Sequence, residues 1–147
     1  MRSVRVVVPG RPPGANDLIR LGHWRIRGVR AKWKGITEEA IAASLAERPN
    51  TRIPFAHAHV RITWRCKVRR KRDYDNLVSG LKPLLDGLVS GGILEDDSTD
   101  CLMRLGPFLV EVGTGVDETI LEIEECEPDG FIHFARALGL WEREEHG

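Results

Sequence analysis

The chain has 147 residues, enough for one domain with a sizeable core and too few for two ordinary ones. A composition of 41% hydrophobic and 30% charged residues excludes a disordered chain, and no apolar run approaches the roughly 18 residues that a membrane helix needs. The formal net charge of zero hides an asymmetry: residues 1–72 hold 18 Lys/Arg against 4 Asp/Glu, and residues 73–147 hold 4 against 18.

Residues 4–8 read as a first strand, too short an apolar stretch for the core of a signal peptide, and the Pro-Gly-Arg-Pro-Pro-Gly run at 9–14 ends it. Residues 15–31 set Asn16, Arg20, Arg25, Arg27 and Arg30 around His23 and Trp24. They read either as a nucleic-acid contact loop or as an irregular surface with one buried Trp, the second being the plainer alternative. From 31 to 47 the spacing of Trp33, Ile36, Ala40 and Leu45 predicts a helix, followed by a loop over 48–57 with Pro49 and Pro54. Val60, Ile62, Trp64 and Cys66 then alternate with His59, Arg61, Thr63 and Arg65, the period of a strand with one buried and one basic face. His57 and His59 have no further ligands near them in sequence and read as surface residues.

A single helix is expected over about 75–90, stopped by Gly91-Gly92. Residues 102–112 and 118–125 read as two strands joined by the turn at Gly113-Thr114-Gly115. After Pro128, Asp129 is placed to cap a last helix with Phe131, Phe134, Ala135, Leu138 and Trp141 as its apolar stripe. Cys66, Cys101 and Cys126 are odd in number and lack C-x-x-C spacing, which suits buried thiols in a reducing cytoplasm. The expected fold is α/β (α+β): one domain over 1–147, a mixed sheet of about four strands packed with helices, a core at about 4–125 and a helical extension at 128–147.

The chemistry concentrates at 61–97. Seven of the twelve residues 61–72 are basic, among them Arg65, Lys67, Arg69, Arg70, Lys71 and Arg72, and Asp73 and Asp75 follow at once. Two carboxylates two residues apart in an extended stretch project to one side, where they can share a hard cation. On one continuous helix turning about 100° per residue, Asp75, Ser79, Lys82 and Asp86 form a stripe opposite the leucines, with Lys82 and Asp86 in i,i+4 reach; Pro83 kinks it near Ser79. The plainer alternative makes Asp75 an N-cap and the acidic run at 95–100 a solvated turn. A calcium EF-hand is disfavoured, because Cys101 stands where a loop begun at Asp96 needs Gly.

Arg-Asp-Tyr-Asp-Asn-Leu at 72–77, Leu-Lys-Pro-Leu-Leu-Asp-Gly-Leu at 81–88 and Gly-Gly-Ile-Leu-Glu-Asp-Asp at 91–97 together resemble the RusA family of Holliday-junction resolvases. A weaker match is a first strand followed by Pro12-Pro13 and Asn16; the similarity spans about 4–125 and is dense at 69–100. The resemblance implies a homodimeric, magnesium-dependent nuclease, with manganese as a possible substitute, that nicks two opposed strands of a four-way junction. The family's essential aspartates map onto Asp73, Asp75 and Asp97, as catalytic residues and metal ligands, and its active-site lysine onto Lys82. In the shorter family pattern that lysine follows the second aspartate by one helical turn, where this chain has Ser79. The Leu-Lys-Pro-Leu-Leu-Asp variants of the family carry it three residues later, as here.

The expected function is therefore structure-specific phosphodiester hydrolysis in DNA recombination and repair, with the basic residues at 65–72 on phosphates and no base reading needed. The rivals are a non-catalytic branched-DNA-binding protein, a broader flap or single-strand nuclease, and a metal-binding interaction protein without nucleic acid. The basic block argues against the last.

Overall fold

The structure, a computed structural model, describes residues 2–128. Four strands, β1 (Ser3–Pro9), β2 (Ala58–Cys66), β3 (Leu102–Val112) and β4 (Glu118–Glu125), form one sheet in the order β1-β4-β2-β3. β4 runs antiparallel to both β1 and β2, and β3 lies parallel to β2 at the edge. This is the expected α+β domain with a mixed four-stranded sheet packed with helices. The expected final helix after Pro128 lies outside the described residues.

Alternation decides the faces. Val4, Val6, Val8, Val60, Ile62, Trp64, Cys66, Leu121 and Ile123 point inward and are almost wholly buried. The register carries this face across the sheet, with Val6 opposite Leu121 and Leu121 opposite Ile62. On the outer face the same register sets Glu122 opposite both Arg5 and Arg61, and Glu118 opposite Arg65. Part of the charge asymmetry is thus neutralised across strands, as opposite charges on paired strands stabilise a sheet.

β3 and β4 are consecutive and correctly bounded by the sequence pattern, yet they are not neighbours; β2 lies between them. The turn connecting them crosses the end of β2, where Thr114 N–H donates to Cys66 O at 3.3 Å and Lys67 N–H to the Asp117 carboxylate at 2.9 Å. Within β3 the register against β2 slips by one residue between Leu105 and Phe108, where Gly106-Pro107 stands. Proline lacks a ladder donor, and an edge strand with a bulge tolerates it.

The helices depart from expectation in two places. α2 (His23–Glu47) begins eight residues before the predicted start, so most of 15–31 is helical, with α1 (Ala15–Leu18) before it. Trp24 is 79% exposed, which overturns the buried Trp expected there. The single helix expected over 75–90 is two: α3 (Tyr74–Ser79) and α4 (Lys82–Ser90). The break falls at Gly80-Leu81, ahead of Pro83, which sits in the first turn of α4 where a missing N–H costs nothing. α4 buries Leu84 and Leu88 against the sheet, and its Gly87 and Gly91 admit Thr37 and Ile41 of α2; a Cβ on Gly87 would stand 2.7 Å from Thr37 Cβ.

Candidate active site

The break between α3 and α4 is held from outside. The segment Pro12-Pro13-Gly14 docks on it so closely that a Cβ on Gly80 would lie 2.8 Å from Pro12 O, and one on Gly14 at 1.9 Å from Asn76 O. Around this contact Ala15 N–H donates to Ser79 Oγ at 2.8 Å and Asn16 N–H to Asn76 Oδ1 at 2.9 Å. Asn76 Nδ2 donates in turn to Asp17 at 3.1 Å. The two stretches that carry the family resemblance, about 60 residues apart in sequence, therefore form one hydrogen-bonded unit.

Asp73 is the N-cap of α3, its Oδ1 accepting from Asp75 N–H at 3.0 Å, so the capping role foreseen for Asp75 belongs to Asp73. Asp75 sits exposed in the first turn, with no side-chain hydrogen bond or ion pair among the described residues. Ser79 does not share a stripe with Lys82: its hydroxyl donates to Asn76 O and accepts from Ala15. Lys82, two residues beyond the break, reaches both Asp86 and Asp97 at 2.9 Å. The i,i+4 pair expected from spacing is present, and Asp97 is added to it from 15 residues along the chain.

This arrangement fixes charge states. Hydrogen bonds from Lys82 and its positive charge hold the Asp97 carboxyl below the ordinary aspartate range. Asp86 and then Asp97 push the Lys82 ammonium upward. Lys82 is therefore a fixed cation at neutral pH, suited to stabilising negative charge and unsuited to taking up a proton as a base.

Beside the start of α3 lies a cleft of about 660 Å³ whose wall includes Arg11, Arg70, Lys71, Arg72, Asp73 and Asp117. The Nε atoms of Arg11 and Arg72 are buried there without a hydrogen-bond partner. Asp117 is kept ionised below the usual range, first by the Lys67 N–H and then by Arg11, Lys67 and Arg72. The exposed Arg70 and Lys71 on this wall suit phosphate oxygens, which accept charge-assisted hydrogen bonds.

The basic residues divide. Arg69, Arg70 and Lys71 are exposed and carry no ion pair among the described residues. Arg72 folds back onto the carbonyls of Arg70 and Val68. Arg65 lies on the outer sheet face between Glu118 at 2.7 Å and Glu111 at 3.2 Å, and Lys67 follows it into the exposed turn. Sequence reasoning missed Arg11, Asp17 and Asp117. Arg11 and Asp117 meet partners at least 50 residues away, and Asp17 joins the distant Asn76 to a local bond from Gly14 N–H, three residues before it, which was a signal available in the sequence.

For magnesium, the donor chemistry fits: carboxylate oxygens alone, with Asp73 and Asp75 exposed beside each other. Convergence is incomplete, since among the described residues no group of three or more His, Cys, Asp or Glu is positioned to hold a metal, and Lys82 occupies Asp97. No helix among the described residues is long and apolar enough to cross a membrane. Compared with protein-family models and with curated proteins, the chain matches none.

Proposed function

We propose that the chain is a divalent-metal-dependent endonuclease for branched DNA, resolving four-way junctions as a homodimer in the manner of the RusA family it resembles. The observation that carries the reading is the pairing of Lys82 with Asp97, which joins two of the residues singled out for chemistry from 15 residues apart in the chain. Asp73 and Asp75 thus stand at the start of α3 and Lys82 at the start of α4, with Asp97 joined to Lys82 from the loop beyond α4 and a basic cleft beside Asp73.

Asp73, Asp75 and Asp97 are the residues that would hold the cation, which when bound polarises the scissile phosphate and lowers the pKa of a water. Lys82 offers its ammonium to the charge that builds on the phosphoryl oxygens. Arg70, Lys71 and Arg11 bind neighbouring phosphates and orient the strand without reading bases. Two symmetric sites suit a substrate with two equivalent strands, and a two-fold dimer is the commonest oligomer.

The open carboxylate arrangement favours a second reading, a junction-binding protein that does not cut. The deciding experiment incubates the full chain with labelled four-way junction, flap and duplex DNA, with and without magnesium. Paired nicks near the crossover, dependent on magnesium, are expected. Binding without cleavage in magnesium and in manganese refutes the nuclease reading and leaves the second.

A further inference from the structure

The first two turns of α2, ahead of Trp33, are exposed or half-buried, and the buried residues of the helix are Thr37 and Ile41. Over 18–37 the chain carries Arg20, Arg25, Arg27, Arg30, Lys32 and Lys34 and no acidic residue. At about 100° per residue, Trp24, Gly28, Ala31 and Gly35 fall on one face, opposite the side that packs on the fold. Arg25 and Lys32 flank this face on one side, and Arg27 and Lys34 on the other. A Cβ on Gly28 or Gly35 would meet nothing within 4 Å, so no packing within the described fold calls for glycine at either position. Each nevertheless weakens the helix relative to alanine. Trp24 is 79% exposed, with the Arg27 guanidinium over its ring at 5.6 Å.

We infer that this face of α2 is a binding track for a single-stranded segment of DNA, with Trp24 stacking on an unpaired base. Charge complementarity selects the occupant: cations on both sides of a smooth strip match a flexible polyanion. The indole offers a nucleobase a flat apolar partner, and the Arg27 contact helps hold the ring. At a branch point the bases next to the crossover are the ones least held by pairing. The track thus complements the phosphate cleft by taking strand that is no longer duplex. The inference shares the DNA partner of the nuclease reading but rests on different residues and needs no cleavage.

The test is fluorescence anisotropy with the full chain in EDTA, comparing a single-stranded oligonucleotide with a duplex of equal length for wild type, Trp24→Ala and Trp24→Phe. Trp24→Ala should bind the single strand roughly 5- to 150-fold more weakly, the range that base–aromatic stacking spans. Trp24→Phe should recover most of the loss, and duplex affinity should change by less than about twofold, since every phosphate-binding cation is kept. Equal affinity of Trp24→Ala and wild type for the single strand overturns the inference, as does an equal loss on both substrates or no wild-type binding to the single strand. Size-exclusion chromatography with light scattering on the same proteins supplies one more refutation: dissociation of an oligomer by Trp24→Ala means that a second copy covers this face. Wild-type chain that binds as expected but never cuts with magnesium refutes the nuclease reading alone.

Discussion

Lys82→Ala separates a catalytic lysine from a structural one. The ammonium lies 2.9 Å from both Asp86 and Asp97, and its side chain is 58% exposed. Exposed pairs of this kind contribute about 0.2–1 kcal/mol each, because water screens them and two side chains must be held still. Removal also leaves two carboxylates whose nearest oxygens are at most about 6 Å apart, which in water costs about 0.7 kcal/mol. The loss of stability should therefore stay near 1–2 kcal/mol, leaving the variant folded at 25 °C against the 5–15 kcal/mol typical of a domain. Urea unfolding measures that loss. Single-turnover cleavage at saturating enzyme should fall by about 10²-fold or more, as when a donor to a developing charge is removed, while junction affinity changes little. A weaker junction affinity with an unchanged saturated rate would refute the assignment and make Lys82 a phosphate-binding residue. A loss of several kcal/mol, with cleavage falling only as the folded fraction falls, would make it structural.

Three further outcomes follow from the same geometry. Asp73→Asn and Asp75→Asn should fold and bind junctions but cut orders of magnitude more slowly in magnesium; asparagine still caps α3, whereas Asp73→Ala should also cost about 1 kcal/mol in thermal or urea unfolding. Neutralising Arg69, Arg70 and Lys71 together should weaken junction binding and flatten its salt dependence, measured by anisotropy from low to high salt. The log–log slope should fall by roughly 0.9 units for each phosphate that the variant no longer neutralises. The Asp97 carboxyl, followed by ¹³C NMR, should titrate below the ordinary value of about 3.9 and move back towards it in Lys82→Ala. Because its folded pKa is depressed, its contribution to stability is present above the unfolded value and is lost as pH falls through the lower folded one. The raised pKa of Lys82 gives a contribution present below its unfolded value of about 10.4 and lost as pH rises through the folded one, so the pair does not titrate between about pH 5 and 9.

The chain's local patterns were sufficient wherever a neighbour two or four residues away carries the information. Alternation at 59–66 gave the inward row Val60, Ile62, Trp64 and Cys66, and turn residues bounded β3 and β4 at their observed ends. The i,i+4 spacing was enough for the Lys82–Asp86 pair. Tertiary structure decided what depends on distant partners. It placed β2 between two consecutive strands, since the pairing of β4 is set by apolar rows on β1 and β2 rather than by its own turn. The interruption near Ser79 was legible from Pro83, but only the fold shows that Pro12 and Pro13 pack on Gly80 too closely for a side chain, that Ser79 bonds the N-terminal loop and that Lys82 reaches Asp97. Tertiary structure also divided the basic residues into those neutralised by glutamates of the sheet, such as Arg65, and those exposed without an ion pair among the described residues, such as Arg70 and Lys71. Composition counts charges; only the fold determines which of them already have a partner.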